Sequence, residues 1–183
     1  NEFDKICDYK CSVGIGIPGF SSKDTELVTN ANSLWINNKP FKKDLEASLE
    51  RKVRLMNDAN CFTLSEAVDG AGKNFKSIFG IIIGTGFGGG LSYKQEIIEG
   101  ANQIAGDWGH QPLPYPTDEE IKTKINCPSM NCGRPLCAEQ FMSGVGFSTI
   151  FNQKNNTNFN SKEILELDNK NDERANLELK LYE

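Results

Sequence analysis

Apolar and polar positions change rhythm along the chain, and each change marks an element. Residues 11–17, Cys-Ser-Val-Gly-Ile-Gly-Ile, alternate apolar with small side chains and then meet Pro18-Gly19. That pattern predicts a buried strand ending in a turn. A loop at Asn30-Ala31-Asn32 and a short extended segment at Leu34-Trp35 follow. Pro40 then opens a helix over Phe41 to Glu50, because the fixed φ of proline suits a first helical turn. Val53-Arg54-Leu55-Met56 predicts a strand, and Asn57-Asp58-Ala59-Asn60 a strand-to-helix junction. The helix continues from Ala59 to about Val68 and stops at Asp69-Gly70-Ala71-Gly72. Ile78-Phe79-Gly80-Ile81-Ile82-Ile83 is dense in β-branched residues and predicts a central strand. It leads through a glycine hairpin, Gly84 to Gly90, into Leu91-Ser92-Tyr93.

The later half is less regular. Residues 111–116, Gln-Pro-Leu-Pro-Tyr-Pro, predict an extended loop, and Thr117-Asp118-Glu119-Glu120 a helix start with acids in its first turn. Ala138 to Met142 predicts a helix that Gly144-Val145-Gly146 interrupts or re-caps. The polar, Asn-rich stretch Asn152 to Asn160 predicts an exposed loop. Leu165, Leu167, Leu177, Leu179 and Leu181 recur at helical spacing among charges, which predicts one or two exposed helices over residues 161–183. Strands and helices in this order make an α/β protein.

Composition narrows the function classes. The chain has 183 residues, 38% of them hydrophobic and 25% charged, with a formal net charge of −5. Such a charge does not suit a phosphate backbone, so nucleic acid is not an expected partner. The residues given contain no apolar run of membrane-spanning length and nothing that reads as a signal peptide, so no membrane partner is expected either. Six cysteines in this setting read as reduced thiols and metal ligands of a cytoplasmic protein rather than as a disulfide framework.

Three segments carry candidate chemistry. His110, the single histidine, precedes Cys127, Cys132 and Cys137. One imidazole and three thiols form a full tetrahedral set for structural zinc; buried free thiols beside a loop histidine are the alternative. Asp58, at the head of a helix, either caps free amides or offers a carboxylate for proton transfer. The glycines from Gly84 to Gly90 permit positive φ and leave amides uncovered, so the segment is either an anion nest or a plain tight hairpin. It lacks the Lys-Ser/Thr of a Walker loop and the following helix of a dinucleotide fingerprint.

Residues 100–110, Gly-Ala-Asn-Gln-Ile-Ala-Gly-Asp-Trp-Gly-His, followed by Cys132-Gly133-Arg134-Pro135-Leu136-Cys137-Ala138-Glu139, resemble the signature of the ROK family of sugar kinases and sugar-responsive repressors. The resemblance covers roughly Ser12 to Phe147. Asp107 stands where the family usually has Glu, Met130 where the first Cys of Cys-x-Cys falls, and Leu136 where Gly falls. The resemblance implies an actin-like, ribonuclease-H-like fold of two lobes with a cleft, incomplete at both ends. Residues 1–57 would be the remainder of the first lobe, and residues 58–183 the second, with phosphate hairpin, sugar site and zinc loop. An N-terminal Asp-x-Gly-Gly-Thr phosphate loop and a portion beyond Glu183 would belong to the complete protein.

The function implied is ATP-dependent phosphorylation of a hexose hydroxyl. Asp58 would be the catalytic base. Asn57, Asn102, Asp107, His110 and Glu139 would hold sugar hydroxyls, with Pro18-Gly19 near the sugar. Gly84, Thr85 and Gly86 would bind ATP phosphates together with Mg²⁺. Zinc on His110, Cys127, Cys132 and Cys137 would leave the second histidine nitrogen facing the sugar. The runs Ser65 to Ala71, Trp108-Gly109-His110 and Pro112-Leu113-Pro114 look most like the fructokinase or mannokinase branch. N-acetylglucosamine kinase and glucokinase are the alternatives within the family, and the sugar-sensing domain of a ROK repressor is the alternative of another class. The resemblance leaves a homodimer open.

Overall fold

The computed structural model describes residues 11–128 and 132–182. Its chain divides into two compact units. One holds the residues up to Gly80 together with Gly90–Ala105; the other holds Ile81–Gly89 and the residues from Gly106 onward.

In the first unit the expected leading strand is β1 (Val13–Ile17), followed by a short hairpin of β2 (Phe20–Ser21) and β3 (Val28–Thr29). Leu34–Ile36 form a 3-10 turn rather than the extended segment expected there. Asn37 explains the difference. Its side chain accepts from Ala31 N at 2.9 Å and donates to Ala31 O at 2.8 Å, closing the chain on itself. Helix α1 (Phe41–Leu49) begins directly after Pro40 and ends at Glu50 in the left-handed conformation. Strand β4 (Val53–Asn57) runs parallel to β1, in register from Val13 opposite Val53 to Ile17 opposite Asn57. Ile17, Val28, Ala31 and Ile36 form the core, with Ile15, Phe41 and Leu55 packed against it.

The shared register brings the Pro18-Gly19 turn and the head of α2 (Asp58–Val68) to the same carboxyl edge of the two strands. The turn needs glycine: Gly19 has φ +117°, and a Cβ there would lie 2.6 Å from the Thr29 carbonyl. Strands β5 (Ser77–Ile83), β6 (Phe87–Tyr93) and β7 (Glu96–Ile97) form a sheet in that order, and the division between the units falls within β5 and β6.

The second unit is mainly helical. Thr117 and Glu120 build a capping box at the head of α3 (Asp118–Lys122), as the acidic first turn anticipates. Helix α4 (Ala138–Met142) ends at Ser143, whose side chain caps α5 (Gly144–Asn155), so the glycines restart a helix. That helix runs into the stretch expected as a loop. Its asparagines make turn bonds: the Asn152 side chain donates to Phe159 O at 2.7 Å and accepts from Phe159 N at 2.8 Å. Two helices follow, α6 (Ser161–Asp168) and α7 (Glu173–Tyr182). Phe147, Phe151, Ile164 and Ala175 form the core, joined by Phe159, Leu167, Leu179 and Tyr182; Leu165, Leu177 and Leu181 stay exposed.

Helix α6 is held at its head by a reciprocal box. Asn160 accepts from Glu163 N at 2.9 Å, and Glu163 accepts from Asn160 N at 2.7 Å. Asn160→Ala is expected to lower stability by about 1 kcal/mol, read as an earlier midpoint in urea unfolding. An unchanged midpoint would mean that the core contact of Ile164 alone fixes this helix.

Candidate functional site

Each unit carries its own group of candidate residues. In the first, Asn57 rather than Asp58 caps α2: its Oδ1 accepts from Asn60 N at 3.2 Å, and its Nδ2 donates to Gly19 O at 3.2 Å. The cap reading of Asp58 is therefore corrected. Asp58 is the first helical residue, exposed, with one carboxylate oxygen accepting from Ala59 N at 2.8 Å. Cys61 lies one turn on, and burial, with Asp58 beside it, pushes its thiol up, which keeps it a packing residue. Asn102 sits exposed in the turn between Gly100 and Ala105.

The Gly84–Gly90 hairpin corrects one expectation. None of its glycines adopts positive φ. They permit close approach instead. A Cβ at Gly90 would fall 2.7 Å from both Asn60 Oδ1 and Thr63 Oγ1, and one at Gly80 would collide with the same threonine hydroxyl. In the second unit, a Cβ at Gly88 would be 3.4 Å from Asp107 Oδ1, and one at Gly86 would be 3.9 Å from Glu139 Oε1. At the tip, Gly84 N donates to Gly86 O at 2.9 Å, and the Gly84 carbonyl accepts from Gly144 N at 2.8 Å. Gly84 and Thr85 are exposed. The tip is thus fixed to the head of α5 while its outer face stays open.

The second group is assembled by two stretches of chain lying side by side. Glu139 N donates to Gly109 O at 2.8 Å, Ala138 N to Gln111 O at 2.9 Å, and Leu113 N to Leu136 O at 2.7 Å. This ladder places His110 beside Cys137 and Glu139. Leu136 takes φ +52° at the position where the ROK signature has glycine, a conformation that costs a side-chain-bearing residue roughly 1 kcal/mol. Farther out, Cys127 N donates to Arg134 O at 2.9 Å, which turns Cys127 back toward Cys132 and Cys137. Met130 lies outside the described residues.

The result is a compact Cys/His cluster. The ligand atoms of His110, Cys127, Cys132 and Cys137 all lie within 4.8 Å of one another, a set that could hold a metal ion. His110 Nδ1 is 3.7 Å from Cys127 Sγ and 3.6 Å from Cys137 Sγ, and Cys132 Sγ is 3.9 Å from Cys137 Sγ. Burial pushes the Cys137 thiol up. Burial acts the same way on Cys132, but the Arg134 backbone N–H, the two neighbouring thiols and the Arg134 charge outweigh it and leave that thiol lowered. A thiolate is the form that binds metal.

The other ring nitrogen, Nε2, lies 3.6 Å from Glu139 Oε2. Burial raises the Glu139 carboxyl; His110 opposes that, the Asp107 charge adds to it, and the Phe87 backbone N–H works against it. Sequence reasoning missed Phe87 as part of this site. Its ring packs on Trp108 at 4.8 Å, and its carbonyl lies so close to Gly109 that a Cβ there would collide. The only signal was an aromatic residue amid glycines.

Comparisons with known proteins give the family and the fold. The ROK family model matches residues 1–183. N-acetyl-D-glucosamine kinase of Citrobacter koseri is 38% identical over 181 residues, which cover 99% of this chain and 60% of that protein. For the enzyme of that name from Vibrio cholerae, the match covers 82% of this chain and 50% of the relative. The chain thus spans between half and three-fifths of the length of these curated relatives. Among solved structures, the ROK hexokinase of Thermus thermophilus superposes with a TM-score of 0.74 at 22% identity, over 96% of this chain and 55% of that one. The ROK glucokinase of Streptomyces griseus, in complex with glucose and AMPPNP, gives 0.70 at 24%, over 94% and 60%. The fold is therefore the actin-like α/β fold of these sugar kinases, and among the described residues no helix is long and apolar enough to cross a membrane. With the family matched along its whole length and curated relatives at 38% identity, the chain belongs to the ROK family.

Proposed function

We propose that this chain works in an ATP-dependent kinase that phosphorylates a hydroxyl of a hexose or N-acetylhexosamine. The observation that carries the reading is the exposed helix-head carboxylate of Asp58 in the first unit, in a chain related to named kinases; the open hairpin tip at Gly84-Thr85-Gly86 in the second unit supports it separately. Phosphoryl transfer asks for positioning and charge stabilisation more than for covalent help. Asp58 accepts the proton of the attacking hydroxyl. Thr85 Oγ1 and the backbone amides of Thr85 and Gly86 receive phosphate oxygens, Gly84 shapes the tip through its own bond to Gly86 O, and Mg²⁺ brought with ATP neutralises developing charge. Asn57, Asn102, Asp107, His110 and Glu139 hold sugar hydroxyls, since carboxylates and amides can take vicinal hydroxyls in pairs. Asn57 does so with its remaining lone pair and N–H, because its cap and its bond to Gly19 use the others. The lobes proposed from the resemblance, residues 1–57 and 58–183, differ from the two compact units, which keep residues 58–80 and 90–105 with the first.

Zinc is the metal the Cys/His cluster suits. Around a tetrahedral zinc, with bonds of about 2.3 Å to sulfur and 2.0–2.1 Å to nitrogen, neighbouring ligand atoms are about 3.8 Å apart for S–S and about 3.6 Å for S–N. The separations of 3.9, 3.7 and 3.6 Å already approach those edges. Zinc there would supply structure, tying together the segments that carry His110, Cys127, Cys132 and Cys137.

The sugar is N-acetylglucosamine by the names of the curated relatives. Fructose is the second reading, favoured by the Ser65–Ala71 and Trp108–His110 runs. ATP-coupled assays on N-acetylglucosamine, glucose, mannose and fructose, with protein made from the complete reading frame, test the proposal. Turnover of none of them, with sugar binding retained, would favour a sugar-sensing role. In that protein Thr85→Val is expected to raise KM for ATP about tenfold, the worth of one phosphate hydrogen bond, and to spare sugar affinity. Unchanged KM and kcat would remove Thr85 from the phosphate site.

A further inference from the structure

Three segments of the second unit meet beside the hairpin tip. Gly144, at the head of α5, donates its backbone N–H to Gly84 O at 2.8 Å. A Cβ at Gly144 would stand 3.1 Å from that carbonyl and 3.1 Å from Ser161 Oγ, so the two oxygens are no more than twice 3.1 Å apart. Glycine at this position is what lets them approach. Ser161 is the first residue of α6, and the chain holds it from both sides. Phe159, before it, packs on the core and is bonded through its N and O by Asn152. Ile164, after it, is fully buried.

Ser161 is half-buried, and among the described residues its hydroxyl has no hydrogen-bond partner. A serine hydroxyl offers one donor and two acceptor positions. Here it is fixed in place, unspent on the protein, and a short span from the carbonyl of the residue that precedes Thr85. From this juxtaposition we propose that Ser161 is a further nucleotide-binding residue: its hydroxyl donates to a phosphate oxygen of ATP while Thr85 and the tip amides hold others. The inference rests on the reading of the hairpin as the phosphate site. A row of linked phosphates is long enough to reach from the tip to Ser161, and the charge on its oxygens strengthens a hydroxyl donor's bond.

The test uses protein made from the complete reading frame and compares Ser161→Ala, Ser161→Thr and Thr85→Val. Binding is measured by calorimetry with the non-hydrolysable analogue AMPPNP, with adenosine and with N-acetylglucosamine. Ser161→Ala is expected to bind AMPPNP about tenfold more weakly, the worth of one hydrogen bond to a charged oxygen. Its affinity for adenosine, which has no phosphate, and for the sugar should match the wild type. Ser161→Thr keeps the hydroxyl and should restore most of the loss. Normal AMPPNP affinity in Ser161→Ala, beside a weakened Thr85→Val, would overturn this inference and leave the hairpin reading standing. Normal affinity in both variants, or a wild type that binds no AMPPNP, would overturn the two together. An equal loss for adenosine would move the contact off the phosphates and overturn the assignment. A loss that Ser161→Thr does not restore, and that follows a fall in the urea midpoint, would overturn it by making Ser161 a packing residue.

Discussion

Asp58→Asn is expected to lower kcat by about 10²- to 10⁴-fold, the range that a general base contributes, while sugar affinity stays near that of the wild type. The substitution is unusually clean here. Asn57 provides the cap of α2, so Asp58 is not needed to start the helix. The Asp58 oxygen that accepts from Ala59 N at 2.8 Å is replaced by an amide oxygen of the same shape. What changes is the capacity to take a proton. A drop in kcat with unchanged sugar affinity removes an interaction made only in the transition state, which marks chemistry rather than binding. The assay uses protein made from the complete reading frame, with turnover by coupled ATP consumption and sugar affinity by calorimetry. Near-normal kcat would take the base role from Asp58. Weakened sugar binding with proportionate loss of kcat/KM would make it a holding residue instead.

Much of this was legible in the sequence wherever one force dominated. Alternation at residues 11–17 and 53–56 and the helix starting at Asn57-Asp58 follow from burial and capping, and the structure has β1, β4 and α2 there. The Cys/His cluster was legible because ligand types are scarce and the single histidine had few partners to choose from. What escaped was set by contacts distant in sequence. Glycine in a pattern says that a side chain is unwelcome without saying why. At Gly80, Gly88 and Gly90 the reason is the approach of Thr63, Asp107 and Asn60, not positive φ. Helix α5 was hidden because Gly144, Gly146, Asn152 and Asn155 are poor helix formers, and burial of Phe147, Ile150 and Phe151 outweighs their propensities. The side-by-side ladder of residues 109–113 and 136–139 had no local signature at all, yet it is what sets Glu139 against His110.

Cys132→Ser is expected to abolish zinc binding, and Cys127→Ser to reduce it sharply, from about one equivalent in the wild-type chain. The four ligand atoms lie within 4.8 Å of one another, so little movement brings them onto one ion. Cys132 and Cys137 sit on the positions of the ROK signature, whereas Cys127 comes from three residues before Met130, the signature's position for the remaining thiol. The bond from Cys127 N to Arg134 O supplies the reason it can serve, because it holds the Cys127 end of the loop against the Cys132–Cys137 turn. Serine in its place removes a soft thiolate and offers a hydroxyl that zinc binds poorly, leaving a three-ligand site open to water. Stability should follow the metal, since ligand binding to the folded state alone stabilises it by mass action. A chelator is therefore expected to lower the melting temperature of the wild type and to leave that of Cys132→Ser unmoved. Elemental analysis of protein purified without chelators reads the stoichiometry. Zinc retained in full by Cys127→Ser would remove Cys127 from the ligand set, and metal-free wild-type protein that takes up none on titration would make the cluster three neighbouring thiols, two of them buried, beside a histidine.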